Sequence, residues 1–447
     1  MAMSTCQNQE TAATAMEYWN PKVERSSAEE LMQLQERKLR RLVENAYEYS
    51  SFYKKRFAAA GVSPHDIRSL EDIQQLPFTH KTDLRDTYPT GMFSVPQSQI
   101  VRFHVSSGTT GVPTVVGYTA NDIDVWTSCL ARSLTACGLG RGDIVQVAYG
   151  YGLFTGGLGL HYGVEEIGAA VLPVGAGATT RQISLMKDLG TTAIACTPSY
   201  LLHIGEVAES MSIDIASQTR LRAGILGAEP WSLESRARIE QNLGIKAYDI
   251  YGTSEMSGPL FTECSAQNGI HAWADHFLIE IVDDYGGPVD DGERGELVVT
   301  TLSKEALPLI RYRMGDITSL LWEECECGRT HPRIMRIQGR VDDMIVVRGV
   351  NVFPSQIESV LMQIPEVGDH FQIVVDRAGP LDVMVVKIEV TESTLSDRIG
   401  ALMQLEERVA KQLRDVLMIN AKVELVERGT LPRSSGKSQK VIDLRQI

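Results

Sequence analysis

Residues 106–114 read Ser106-Ser107-Gly108-Thr109-Thr110-Gly111-Val112-Pro113-Thr114, directly after the run 100–105, which has the texture of a strand. Hydroxyls interleaved with glycines let backbone N–H groups approach an anion closely, and the Ser and Thr side chains add further donors. Such a loop suits a polyphosphate. It lacks the Gly-Lys-Ser/Thr register of a Walker A loop, and taken alone a Ser/Thr/Gly surface turn explains it equally well.

The chain around this loop supplies the context. Short β-rich runs at 144–149, 170–174, 193–197, 223–226 and 247–251 alternate with helical stretches. That alternation predicts a parallel sheet with helices on both faces. Upstream, 27–60 reads as helix, with Leu31, Leu34, Leu39, Leu42 and Val43 near helical spacing and a capping box from Ser27 to Glu30. Downstream, 277–282 and 295–301 read as strands joined by the Asp-, Gly- and Pro-rich turn 283–294. At Gly339-Arg340 the texture changes again. Helical pieces at 354–363 and 395–416, with strands at 372–375, 383–390 and 421–425, make a small α+β unit. The expectation is an α/β protein: a large N-terminal domain, 1–339, with parallel sheets flanked by helices, and a small mobile α+β C-terminal domain, 340–447.

Two further motifs sit at predicted strand ends, where ligands collect in open α/β sheets. One is Gly227-Ala228-Glu229-Pro230; the other is Tyr251-Gly252-Thr253-Ser254-Glu255. Glu255 suits Mg²⁺, which binds few carboxylates together with phosphate oxygens, although a lone glutamate is usually just an exposed side chain. Asp316, in Arg313-Met314-Gly315-Asp316, is placed to accept from sugar hydroxyls. Gly339-Arg340-Val341-Asp342-Asp343 is a charge-dense joint, and Leu431-Pro432-Arg433-Ser434-Ser435-Gly436-Lys437 is a loop presenting a lysine.

In this order the loop 106–114, Tyr251 to Glu255, Gly315-Asp316, Gly339 to Asp343 and Gly436-Lys437 resemble the adenylate-forming superfamily of acyl- and aryl-CoA synthetases, adenylation domains and luciferases. The phenylacetate–CoA ligase branch is the most similar, from about Tyr18 to Leu444. The resemblance implies a substrate carboxylate attacking the α-phosphorus of ATP, then a CoA thiol displacing AMP. It implies Lys437 as the catalytic lysine and Asp316 with Arg340 as the ribose pair. Ala228, Glu229, Pro230, Asp249, Ile250 and Tyr251 match the adenine pocket. Gly252 and Thr253 continue the ATP-binding set begun by Ser106, Ser107, Gly108, Thr109, Thr110 and Gly111. Asp342 matches the hinge and Gly349 the CoA tunnel. The alternative acceptor is a carrier protein, and a non-catalytic nucleotide sensor is a second alternative. One position departs from the pattern: Thr114 stands where the phosphate loop often has a lysine, so charge neutralisation falls to Mg²⁺ and Lys437.

Two further groups of residues call for comment. Tyr149 and Phe154 lie in a run of aromatics and glycines, 149–157, that suits an apolar pocket for an aryl acid. Phenylacetate, a hydroxyphenylacetate, indoleacetate and a benzoate all remain open, as does simple core packing of either ring. Cys264, His271, Cys325 and Cys327 could close a tetrahedral zinc site, or be free thiols and a surface histidine, since Cys-x-Cys is tighter than the usual spacing.

Composition excludes several classes. Lys and Arg total 43 against 57 Asp and Glu, a net charge of −14, which disfavours nucleic acid and anionic membrane. The most apolar stretch, near 152–174, is broken by Gly157, His161, Glu165 and Glu166 and is no membrane span. Seven dispersed cysteines and no signal peptide at the N-terminus fit a reducing cytoplasm. The resemblance implies a homodimer.

Overall fold

The computed structural model describes residues 18–106, 113–341, 344–347, 350–378, 381–391, 394, 399–433 and 440–445. The expected N-terminal helix is two helices, Ala28–Tyr49 and Ser51–Ala60. The first opens with the capping box: Ser27 Oγ accepts from Glu30 N at 3.2 Å, and Glu30 Oε2 accepts from Ser27 N at 2.9 Å. Its stripe Leu31, Leu39, Leu42 and Val43 is buried. Ser50 breaks the helix with an extended ψ of 113° while its hydroxyl donates to the Met92 carbonyl at 3.3 Å. That tertiary bond competes with helix continuation, and the redirected second helix buries Tyr53 and Phe57.

Among the described residues the largest sheet has nine strands. Ala170–Leu172, Ile144–Val147, Ala193–Cys196, Ala223–Gly227 and Lys246–Tyr251 lie parallel in that spatial order. Their interiors are apolar because helices cover both faces. The expected parallel sheet is present, and beyond Tyr251 it is extended by antiparallel strands. Phe261–Glu263 returns antiparallel, followed by Ile270–His271, Arg333–Ile334 and Leu320–Leu321. Too few residues separate Tyr251 from Phe261 for a crossover helix, so the chain must fold back as a hairpin.

The segment expected after a strand at 100–105 joins an antiparallel pair, Arg102–Ser106 and Thr114–Tyr118, with Ser106 opposite Thr114. A four-stranded antiparallel sheet holds Phe277–Val282, Gly295–Thr301, Tyr312–Thr318 and Gly339–Arg340. Asp316 lies opposite Arg340 in it, so residue 340 still belongs to the sheet of the large unit.

Beyond it stands a separate core containing Ile357, Leu361, Ile373, Val386, Val409 and Leu413. It fills the space between a four-stranded sheet, ordered Lys422–Val426, Leu381–Val390, Val367–Ala378 and Val441–Asp443, and the helices Pro354–Met362 and Ile399–Leu417. The 372–375 run is thus the middle of a longer strand. No helix of the described residues is long and apolar enough to cross a membrane.

Candidate active site

The carboxyl ends of Ala223–Gly227 and Lys246–Tyr251 converge on a cavity of about 180 Å³. It is lined by Gly227 to Trp231, Asp249 to Thr253, Asp316, Arg336, Ile337 and Arg340. Backbone packing shapes its wall. A Cβ on Gly227 would lie 2.1 Å from the Ile250 carbonyl oxygen, so only glycine fits there. The next residue, Ala228, takes a left-handed φ of +71°, a conformation a side chain tolerates only when its surroundings enforce it. Ser199 N donates to Glu229 Oε1 at 2.7 Å, which turns that carboxylate toward the helix Pro198–Ser210.

The floor of the cavity is a polar chain. Tyr251 donates through its hydroxyl to Asp316 Oδ2 at 2.5 Å, and Arg340 NH1 donates to Asp316 Oδ1 at 2.7 Å. Burial, and then the Asp316 charge, hold the Tyr251 phenol well above its usual range. Asp249 is also enclosed. Burial first, and the neighbouring Glu263 second, raise its carboxyl to about 7 against the pull of Arg336 and Arg236.

Next to this floor, Glu255 is 5% exposed, and among the described residues its carboxylate has no hydrogen-bond partner. Thr253 Oγ1 and Ser106 Oγ are likewise buried without a partner among the described residues. Unpaired buried hydroxyls are costly; polyphosphate oxygens would accept from Thr253 and Ser106, and Glu255 offers a carboxylate to a divalent cation. Mg²⁺ and ATP therefore fit the donor set. Ser107, Gly108, Thr109, Thr110, Gly111, Asp342, Gly349 and Lys437 lie outside the described residues.

Two cations were missed by sequence reasoning. Arg336 lines the cavity and stacks on Trp231, 5.6 Å from the ring centroid. Lys304 is buried, donates to Ser257 Oγ at 2.7 Å and sits 3.8 Å over the Tyr118 ring; burial lowers it to about 8. Neither has a local sequence signal, because both reach their partners from distant strands and loops.

The aryl-acid candidates separate. Tyr149 is fixed by its hydroxyl donating to the Cys196 carbonyl at 2.6 Å, whereas Phe154 is 53% exposed. Gly157 does not open room for a ring: a Cβ there would meet the Gly150 carbonyl oxygen at 2.7 Å, so this glycine serves backbone packing. Gly150 and Gly152 face open space.

The ligand atoms of Cys264, His271, Cys325 and Cys327 all lie within 4.8 Å of one another. Cys264 Sγ and Cys325 Sγ are 3.6 Å apart, and Cys327 Sγ is 3.4 Å from His271 Nε2. Zn–S bonds of about 2.3 Å in a tetrahedron place sulfurs roughly 3.8 Å apart, so the thiols are spaced for zinc. Gly328, at φ +76°, lets the Cys325 to Cys327 turn close.

Residues 33–303 match the AMP-binding enzyme family and 349–445 the AMP-binding enzyme C-terminal domain. The chain is 47% identical over 444 residues to the phenylacetate-coenzyme A ligase of Thermus thermophilus, covering 96% of this chain and 100% of that one. The chain belongs to the phenylacetate–coenzyme A ligase family. The family's Escherichia coli member is 47% identical over 428 residues, covering 95% of this chain and 97% of that one.

A 2-hydroxyisobutyryl-CoA ligase in its postadenylation state, with 2-HIB-AMP, superposes with a TM-score of 0.91 at 32% identity, over 96% of this chain and 93% of that chain. The same ligase with 2-HIB-AMP and CoA in its thioesterification state gives 0.72 at 32% identity, over 96% and 92%. Identity and coverage hardly differ, so the drop reflects domain placement. The two cores here stand as in the postadenylation arrangement.

Proposed function

We propose that this phenylacetate–coenzyme A ligase family member joins phenylacetate to coenzyme A with cleavage of ATP to AMP and pyrophosphate. The chemistry is AMP-forming acid–CoA ligation through an acyl-adenylate. Relatives named for coenzyme A favour it over a carrier protein as acceptor. The observation that carries the reading is the chain from Tyr251 through Asp316 to Arg340 at the floor of a cavity closed by Gly227 and Ala228. A ribose laid on that floor would find a charged acceptor already oriented from both sides.

In this reading Ala228, Glu229, Pro230, Asp249, Ile250 and Tyr251 enclose adenine. Gly252, Thr253 and the loop Ser106 to Gly111 receive the phosphates, with Glu255 holding Mg²⁺, which lowers the repulsion between phosphates and the incoming carboxylate. Lys437 neutralises the developing charge at the α-phosphorus, since Thr114 brings none. Asp342 is the hinge and Gly349 the lining of the coenzyme A tunnel. Tyr149, with its hydroxyl tied to the sheet, is the better-anchored wall for the acid; half-exposed Phe154 is the second. The large domain runs through Arg340, whose strand pairs with that of Asp316, and the small mobile one from about 341 to 447.

Cys264, His271, Cys325 and Cys327 bind a structural Zn²⁺, supported by their spacing and by the burial of the first three. The six described cysteines are all free thiols, which supports a cytoplasmic setting. Family resemblance supports a homodimer. The test is pyrophosphate release over a panel of aryl and short acyl acids with ATP, Mg²⁺ and coenzyme A. Phenylacetate is expected to give the highest kcat/KM; preference for a benzoate or an aliphatic acid contradicts the assignment of the acid.

A further inference from the structure

The small domain is joined to the large one by reciprocal capping of two helices. Leu233–Leu243 belongs to the large domain and Pro354–Met362 to the small one. At the start of the first helix, Ser232 N and Ser235 Oγ donate to Glu358 Oε1 at 3.3 and 2.6 Å. Glu358 therefore places a buried carboxylate from the small domain on the positive end of a large-domain helix. Its other oxygen accepts from Lys440, which is in the small domain and so travels with it.

At the end of the second helix the polarity is reversed. Arg238 of the large domain donates to the carbonyls of Met362, Ile364 and Val367 at 3.1, 3.0 and 3.1 Å and to Asp369 Oδ1 at 2.8 Å. Those carbonyls lie at and just beyond a helix C-terminus, where a cation is favoured, although Ile364 O also accepts from Val367 N at 3.1 Å. Each of these Arg238 bonds crosses to the small domain. Neither domain's own fold draws on them.

We propose that Arg238 and Glu358 are positioning residues for the first half-reaction: they hold the small domain in the arrangement that forms acyl-adenylate. The proposal rests on the acid–CoA ligase reading and on Lys437 as the lysine of that step. Two observations point the same way. The superposition at 0.91 on the postadenylation state against 0.72 on the thioesterification state makes these contacts features of one arrangement. And Lys440, which pairs with Glu358, is three positions after Lys437, so the clamp acts on the stretch of chain that presents the lysine. Arg433, four positions before Lys437, is tied in turn to Glu389 at 2.8 Å by two guanidinium nitrogens. Moving the small domain away would leave Arg238 and the helix-terminal carbonyls to water. Neutralising the clamp should therefore lower the population of the first arrangement without touching the reacting atoms.

The test separates the half-reactions. Acid-dependent pyrophosphate release reports the first, using whichever acid the wild type turns over. Conversion of synthetic acyl-AMP and coenzyme A to the thioester reports the second. Arg238→Ala is expected to slow the first about tenfold, the order set by losing a charge-assisted hydrogen bond, while the second is unchanged or faster. Arg238→Lys should recover part of the loss, and Ser235→Ala, which trims the other end of the clamp, should show a smaller loss of the same selectivity. Equal losses in both half-reactions from folded variants, or no loss in either, would overturn the proposal. Small-angle scattering of the ligand-free protein reads domain placement without any activity: Arg238→Ala should depart from the wild-type profile, and superimposable profiles count against the clamp. A wild type that makes no adenylate from any acid faults the functional reading, while the scattering comparison still decides the clamp.

Discussion

The Tyr251 hydroxyl donates to Asp316 Oδ2 at 2.5 Å, tying the last parallel strand of the large sheet to the neighbouring antiparallel sheet. The bond spans two sheets and forms the floor of the cavity proposed to hold the nucleotide, so its disturbance should be felt as weakened ATP use rather than as a general loss.

Asp316→Asn keeps the shape of the side chain but removes the charge that Arg340 and a ribose would share. The expected loss is about 2 kcal/mol, or roughly thirtyfold in kcat/KM for ATP. Tyr251→Phe should cost less, since Arg340 still orients the carboxylate. Steady-state kinetics with ATP and then acid varied checks this; a change confined to the acid KM would remove Asp316 from the nucleotide site.

Lys437→Ala should reduce adenylate formation roughly a thousandfold, because Thr114 leaves the phosphate loop without a cation to compensate. Thioester formation from supplied acyl-AMP should continue. Equal damage to both steps would refute the assigned role of this lysine.

Asp249 makes a pH prediction. Its carboxyl is raised to about 7 by burial and by Glu263, above the ordinary carboxylate value of 3.8. Between those values the unfolded chain has released a proton that the folded protein keeps, so this group's contribution to stability falls as pH rises through the window and is constant above it. Asp249→Asn removes that slope. The melting temperature of the variant relative to wild type should therefore rise between pH 5 and pH 7.5; a difference independent of pH would show that Asp249 is not protonated in the fold.

Protein purified without chelators should contain about one zinc per chain if the four ligands are filled as a closed site. Chelation should then lower the melting temperature and make the thiols of Cys264, Cys325 and Cys327 reactive. Sub-stoichiometric metal by elemental analysis would leave them as plain packing thiols.

That Tyr251 and Asp316 would meet in one cavity was legible because their chemistry is written locally. Gly315-Asp316 and Tyr251 to Glu255 each combine a turn with a polar side chain at a strand end. The four potential zinc ligands were also legible, as two short clusters, although only the pairing of Ile270–His271 with Arg333–Ile334 brings the strand bearing His271 to the chain leading from Cys325 and Cys327.

What stayed hidden depends on contacts distant in sequence. The break at Ser50 answers to Met92, the return of the sheet after Tyr251 answers to a short connection, and Gly157 is required by the backbone of Gly150. Arg238 and Glu358 read as ordinary charges on two helix surfaces. Only the docking of those helices shows that each caps the other.

The central claim is tested most directly by product stoichiometry with ATP, phenylacetate and coenzyme A, followed by chromatography and mass spectrometry. Equal amounts of phenylacetyl-CoA, AMP and pyrophosphate are expected, with phenylacetyl-AMP accumulating when coenzyme A is left out. ADP and phosphate as products, or thioester formed with no adenylate intermediate, would contradict it.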